Sequence, residues 1–409
     1  MQTLLVIGYV WPEPNSSAAG SHMLSILRLF KRKSWRVIFA TPAQKTDFMF
    51  DLTSESIESI GIKINDSSFD SYIKKLQPTA VLFDRFMMEE QFGWRVAENC
   101  PKAIRILDTE DLQSLRGARQ VAHKEKRDFS NNDLLSDLAK REIASIYRCD
   151  LSLIISDFEI KLLTDYFNID HELLVHIPFM VDLDSISQDT PSFEQRSHFV
   201  TIGNLRHAPN WDSVLYLQTI WPLIRKQIPD AELHIYGAYT PPKATALNNP
   251  KIGFLIKDRA KEVNQVMANA RICLSPLRFG AGIKGKFIDA MRMNTPSVTT
   301  DIGSEGMMAG ESWPGLIGNN SEEIAQQAVM LYRDKTLWEQ KSSQCHQLLK
   351  SVYCKEIIGD RLFQRVDSLI DNSDTHRAKN FIGQMLNHHT IRSTKFMAKW
   401  IEEKNKMRK

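Results

Sequence analysis

Ile272-Cys273-Leu274-Ser275-Pro276-Leu277-Arg278-Phe279-Gly280-Ala281-Gly282-Ile283-Lys284-Gly285-Lys286-Phe287-Ile288-Asp289-Ala290-Met291 reads as one strand–turn–helix unit. The apolar run ends in a turn where Gly280, Gly282 and Gly285 alternate with Arg278, Lys284 and Lys286, and Phe287–Met291 opens a helix. Glycines expose backbone N–H groups, a helix N-terminus adds partial positive charge, and three cations surround the same point. That combination suits a diphosphate. Asp289, about one turn into the helix, is placed to accept hydrogen bonds from a ribose diol. The spacing matches neither the P-loop nor the dinucleotide fingerprint. The plainer alternative, a glycine-rich turn with solvated lysines, leaves the coincidence of strand, glycines, cations and helix unexplained.

Working outward, short apolar runs alternate with helical patterns. Strands are expected at Leu4–Val10, Ala80–Phe83, Ala103–Leu107, Leu151–Ile155, Phe199–Ile202, Glu232–Tyr236, Gly253–Ile256, Ile272–Ser275 and Ser297–Thr300. Many are continuously apolar, as parallel strands covered on both faces must be. Met23, Ile26, Leu27 and Phe30 form one helical stripe, and Ile324, Ala328 and Leu331 another behind a Ser321 cap. The pattern predicts doubly wound α/β domains. A polar break at Asp182–Ser197 separates residues 1–185 from 198–365, with 366–409 as a basic helical tail. The charged stretch Ser114–Arg141 reads as a solvated helix or mobile loop.

Length and composition agree with this plan. The chain has 409 residues, 43% hydrophobic and 25% charged, enough for about two domains with real cores. Cys100, Cys149, Cys273, Cys345 and Cys354 are scattered, which argues against a zinc site or disulfide framework and fits a reducing, cytoplasmic compartment. No run approaches the ~20 apolar residues of a membrane span. The net charge of +3 is uneven: Ser373–Lys409 carries nine Lys or Arg against three Asp or Glu.

Two further strand-to-helix turns carry candidate ligand groups. After the first strand, a small-residue turn through Ala19 and Gly20 leads into a helix bearing His22, which reads either as an acceptor-side polar group or as a packed histidine. At the start of the second half, Gly203-Asn204-Leu205-Arg206 follows a strand, and Arg206 is suited to fork across a diphosphate; a surface salt bridge explains it equally well. Asp108, Glu110 and Asp111, behind another strand, suit acceptor or sugar orientation, or a helix cap.

Taken together, Gly203–Arg206 with Pro209-Asn210-Trp211-Asp212, Pro276–Lys284, Asp289-Ala290-Met291, Thr295–Thr300 and Ile302-Gly303-Ser304-Glu305-Gly306 resemble the donor-binding domain of glycosyltransferase family 4. The Gly20 loop, Ser156-Asp157-Phe158-Glu159 and Ile177–Asp182 are similar to its first half more loosely. The resemblance implies a GT-B fold, two Rossmann-like domains facing across a cleft, and retaining transfer from a UDP- or GDP-linked sugar without metal or cofactor. It implies catalytic roles for Arg206, Lys284 and Lys286. Donor contacts would come from Gly203, Asn204, Gly280, Ala281, Gly282, Ile283, Gly285, Asp289, Ser304 and Glu305, and acceptor contacts from Ala19, Gly20, His22, Asp108, Glu110 and Asp111.

The chain departs from the family pattern at Ala281, where a glutamate that engages the donor sugar is usual. A non-catalytic sugar-nucleotide binder or an epimerase of similar fold are the alternatives. Asp182-Leu183-Asp184, though of a metal-binding type, falls in the linker and reads as chance. The tail, with Phe381, Ile382, Met385, Leu386, Phe396, Met397, Trp400 and Ile401, suggests two amphipathic helices. They would pack across the domains, meet an anionic membrane at its inner face, or bind RNA.

Overall fold

The computed structural model describes residues 1–186 and 189–407. Ser187 and Gln188 of the polar break, and Arg408 and Lys409 of the tail, lie outside the described residues.

Two parallel sheets organise the chain. The first comprises β1 (Thr3–Ile7), β2 (Arg36–Thr41), β3 (Glu58–Gly61), β4 (Ala80–Asp84), β5 (Ile104–Asp108), β6 (Leu151–Ile154) and β7 (Leu174–His176), in the order β3-β2-β1-β4-β5-β6-β7. The second comprises β8 (Ser197–Ile202), β9 (Leu233–Tyr236), β10 (Phe254–Ile256), β11 (Ala270–Leu274), β12 (Ser297–Thr299) and β13 (Gly315–Ile317), in the order β10-β9-β8-β11-β12-β13. In both sheets the strand order reverses beside the first strand, between β1 and β4 and between β8 and β11. Ligands of open α/β sheets bind outside the carboxyl ends at such a point.

Helices cover both faces, which explains the continuous apolar strands. Leu4 and Val6 of β1 bury in one core layer and Leu5 and Ile7 in the other. Phe199 and Val200 of β8 divide in the same way. The predicted stripe Met23, Ile26, Leu27 and Phe30 is buried in helix Ala18–Arg32. Helix Ser321–Arg333 buries Ile324, Ala328 and Leu331, but its cap is Asn320, one residue before the expected Ser321.

Four strands were not anticipated. β2 is an apolar run of ordinary strand type, whereas β3 is a mostly exposed edge strand, and β7 and β13 are only three residues long. The stretch Ser114–Arg141 is also more ordered than expected. Helix Gln113–Lys124 buries Ser114, Leu115, Arg119 and Ala122 on one face.

The chain returns to the first domain at its end. Val181 N–H donates to Tyr353 O (2.8 Å) and Lys355 N–H to Val181 O (3.0 Å), so the outgoing and returning segments cross side by side. Helix Lys355–Lys379 then places Ile358, Leu362, Phe363, Val366 and Leu369 in the first-domain core. Helix Phe381–Lys406 lies over helices Phe86–Asn99 and Asp137–Arg148. No described helix is long and apolar enough to cross a membrane.

Candidate functional site

The carboxyl ends of both sheets line one cleft with a cavity volume of about 690 Å³. On the second-domain side, the quoted turn joins β11 to helix Gly285–Arg292, whose N-cap is Lys284. Lys284 is 9% exposed and donates to Gly282 O at 2.9 Å. Lys286 donates to Asn210 Oδ1 (2.9 Å) and Ser275 Oγ (3.1 Å), which tie it to the turns after β8 and β11. Desolvation lowers both ammonium groups to about 8. Burial raises Asp289, on the same helix, to about 6. A bound dianion would restore full charge to the lysines, because an opposite charge within a few ångströms favours the protonated form.

The glycines of this turn have different jobs. Gly280 has open space where a side chain would be. Gly282 has φ +61°, and a Cβ there would lie 2.9 Å from Asp111 Cβ, so its backbone presses against the first domain. A Cβ on Gly285 would lie 2.5 Å from that of Ala18. The Gly282 N–H, expected to face a phosphate or sugar, donates instead to Glu159 Oε1 at 2.7 Å. That same oxygen accepts from Leu112 N–H at 3.1 Å, and burial raises the Glu159 carboxyl to about 8. Ala281 lines the cleft and packs against the first-domain apolar core.

Ile283, Gly203 and Asn204 also line the cleft. Arg206 and Arg278 contact other side chains. The Arg206 guanidinium stacks over Tyr239 at 4.5 Å, and the Tyr239 hydroxyl donates to Glu13 Oε2 at 3.0 Å. Arg278 forks onto Asp212 (2.9 and 2.6 Å) and covers Tyr216, so it does not join the lysines around one point. Asp212 is also 3.3 Å from His123 Nε2 of the first domain.

Ser304 is buried with its hydroxyl turned to Thr300 O and Asp301 O. Glu305 is held by Arg119, whose guanidinium donates to both carboxylate oxygens (2.6 and 2.9 Å) and to Gly280 O (3.0 Å). Arg119 thus joins the domains at the rim of the donor turn. Its signal in the sequence was the spacing Leu115, Arg119, Ala122, one helical face inside a stretch read as solvated.

On the first-domain side the lip is acidic. Glu110 and Asp111 line the cleft beside Arg85 and Arg116, and Asp111 pairs with Arg116. Asp108 is 1% exposed behind them, and burial with Asp84 nearby raises its carboxyl to about 7. Glu110 is raised well above the usual range by burial and by Asp108. Arg85 and Glu110 hold φ of +70° and +61°, an uncommon conformation for residues with side chains. Ala19 lines the cleft; Gly20 is buried against the Glu13 backbone. His22 does not reach the cleft lining. It is 1% exposed, edge-on to Phe179, with neither ring nitrogen partnered, and burial lowers it to about 4. The linker pair Asp182-Leu183-Asp184 forms a short turn in which Asp182 caps Asp184 N–H and pairs with Lys355.

Comparison with known proteins follows this division of labour. Residues 196–334 match the family model of glycosyl transferases group 1. Over 136 residues the chain is 28% identical to an uncharacterized 44.6 kDa protein in the cps region of Klebsiella pneumoniae, a match spanning 31% of this chain and about a third (35%) of that protein. The fold is similar to sucrose-phosphate synthase from Thermosynechococcus elongatus, with 14% identity, TM-score 0.69 and coverage of 91% of this chain and 100% of the other. It is likewise similar to Anabaena Alr3699/HepE in complex with UDP and glucose, with 11% identity, TM-score 0.68, and 90% and 100% coverage. The architecture is GT-B.

Proposed function

We propose, for a chain whose residues 196–334 form a glycosyl transferases group 1 domain within a GT-B architecture, that it is a retaining glycosyltransferase. It moves a sugar from a nucleoside diphosphate sugar, bound by the second domain, to an acceptor bound by the first, in the cytoplasm. The observation that carries this reading is the convergence of Lys284 and Lys286 at a helix N-terminus on the cleft wall, opposite an acidic lip. Likeness to a protein crystallised with UDP and glucose supports a uridine donor over a guanosine one.

Sugar departure leaves growing negative charge on the diphosphate. Lys284 and Lys286, already desolvated and held by Gly282 O, Asn210 and Ser275, meet that charge without reorganisation. Asp289 is placed for the ribose diol. The acceptor hydroxyl attacks the sugar on the face from which the diphosphate leaves, so that a new anomeric bond replaces the broken one, and the departing phosphate takes the hydroxyl proton. Glu110 and Asp111 hold the acceptor or the sugar hydroxyls. This chemistry asks for no metal and no glycosidase-type acid pair.

The test is thermal-shift screening with UDP-, GDP-, ADP- and TDP-sugars, followed by donor turnover against an acceptor panel. A uridine nucleotide should raise the Tm most and be consumed only when acceptor is present. Absence of stabilisation by every nucleotide would sink the reading. Binding without turnover would leave a sugar-nucleotide-binding protein, and isomerised donor without acceptor an epimerase.

A further inference from the structure

The outermost helix, Phe381–Lys406, has two faces of opposite character. Among the described residues, five of its contacts with the first domain come from one side. Gly383 lies against the Tyr147 carbonyl, Asn387 accepts from Arg105 (3.3 Å), Lys395 pairs with Glu98, Ala398 is 4% exposed, and Glu402 accepts from Ser67 Oγ (2.6 Å). At ~100° per residue these positions span an arc of about 120°.

The opposite arc carries Phe381, Ile382, Met385, Phe396 and Trp400, which are 67, 46, 46, 66 and 58% exposed, with Met407 just beyond the last turn at 84%. Met397, 58% exposed, flanks them. They form two apolar patches, one near each end of a helix of about 39 Å. Among the described residues, large exposed apolar side chains elsewhere are scattered along many elements, as on any soluble surface. Here they are collected on one face that the protein itself does not cover.

Charge indicates what covers it. Lys399, Lys404 and Lys406 are exposed along this half of the helix, and Lys404 Nζ lies 4.8 Å from the Trp400 ring centroid. The acid beside them, Glu403, is bonded to Lys406 at 2.7 Å. An apolar stripe with an aromatic at the lysine-rich end and cationic flanks matches a helix lying in the plane of an anionic bilayer surface. A second copy of the same face offers these lysines no acidic partner, since the helix's acids, Glu402 and Glu403, are bonded to Ser67 and Lys406. A nucleic-acid strand would leave the phenylalanine and methionine band uncovered.

We infer that this helix is a membrane-docking element. It seats the first domain on anionic lipid, with Phe381, Met385, Phe396 and Trp400 among the acyl chains and Lys399 and Lys404 at the headgroups. Resting on the proposed function, the acceptor handled by that domain is then carried by a lipid.

The experiment is flotation of the full chain with vesicles of phosphatidylcholine alone or with 40% phosphatidylglycerol (about). The wild type should float with the anionic vesicles and much less with the neutral ones. F396E/W400E should lose at least tenfold in partitioning. K399E/K404E should lose about fivefold per lysine at low salt, and 0.5 M salt (roughly) should weaken the wild type similarly. All these positions are exposed, so both variants should keep the wild-type Tm and its shift with UDP. That nucleotide control separates failure of docking from failure of the donor reading. Equal flotation with both vesicle types, or wild-type flotation by F396E/W400E, would overturn the inference. So would an absence of flotation joined to a dimer that F396E/W400E dissociates, or to retention of a single-stranded RNA probe that K399E/K404E abolishes.

Discussion

The two sheets reach the cleft through lips of opposite charge and opposite construction. The second-domain lip is cationic and built from one contiguous segment, in which β11, the glycine turn, Lys284, Lys286 and helix Gly285–Arg292 follow each other within a few residues. The first-domain lip is acidic and assembled from separate strand ends. Asp84 ends β4 and Arg85 follows it, Asp108 ends β5 with Glu110 and Asp111 beyond, and Glu159 comes from the helix after β6. The cationic lip uses glycine where the backbone must bend or approach closely. The acidic lip holds Arg85 and Glu110 at positive φ despite their side chains, so tertiary packing there supplies what local preference does not. Such strain is stored where surrounding structure over-determines the backbone, and here that place is the side of the cleft facing the donor turn.

The strongest challenge to this contrast is Lys286→Ala. If the cationic lip carries the developing charge of the diphosphate, kcat/KM should fall by about 10²–10³-fold, as for the loss of a preorganised donor at a charged transition state. UDP affinity should fall with it, while thermal stability changes little. Steady-state kinetics and calorimetry check both. Wild-type turnover would move the chemistry off this lip. For the unaltered protein, affinity for UDP should be level between about pH 7 and 8, above the second phosphate pKa, and decline at higher pH, since the lysines bind as cations and their values lie at about 8.

Arg119 tests how the lips are coupled. Its bidentate contact with Glu305 and its bond to Gly280 O join a first-domain helix to the donor turn. Arg119→Ala leaves Glu305 without its partner and should cost roughly 10–100-fold in kcat/KM, because breaking one side of a largely buried pair is expensive. In a double-mutant cycle, Glu305→Ala should lose little more once Arg119 is gone. Additive losses would mean that the two residues act separately.

These differences explain what the sequence disclosed. Strand, glycines and lysines of the donor turn are local, so residue types and spacing identify them. Most of the nine legible strands leave apolar runs, whereas the exposed edge β3 leaves none; β2 leaves such a run and was still passed over. Arg278 illustrates the limit of charge counting. It sits in the right turn, but Asp212 and Tyr216, partners far away in sequence, claim its guanidinium. Arg119 and Glu159 were missed for the complementary reason, since nothing adjacent in sequence marks a charge whose partner lies on the other domain. His22 followed the plainer of its two readings, because its helix turns it toward Phe179 and the core.

Glu110→Gln probes the acidic lip alone. The amide keeps the shape and removes the charge that neighbours and burial already disfavour. The expected result is about a fivefold rise in acceptor KM, of the order of one neutral hydrogen bond, with UDP affinity unchanged. A parallel loss of UDP affinity would mean that both lips grip the donor.

The smallest effect expected is at Glu159, which accepts from Gly282 N–H and Leu112 N–H and so links the two lips through a single oxygen. Its carboxyl is raised from an ordinary 4.5 to about 8 by burial, with Asp111 adding to the shift. Between those values the folded protein keeps a proton that the unfolded chain has released. Stability therefore falls as pH rises through that window and levels off above it. Glu159→Gln can keep both accepted bonds through its amide oxygen while removing the titration. It should match the wild type near pH 5 and exceed it at pH 9 by at least about 2–4 °C in Tm, which is the scale of each ~1 kcal/mol in a domain of this size. Melting curves across pH decide the matter. A variant that loses Tm equally at both pH values would show that the carboxyl group, and not merely an acceptor oxygen, is what joins the second-domain turn to the first.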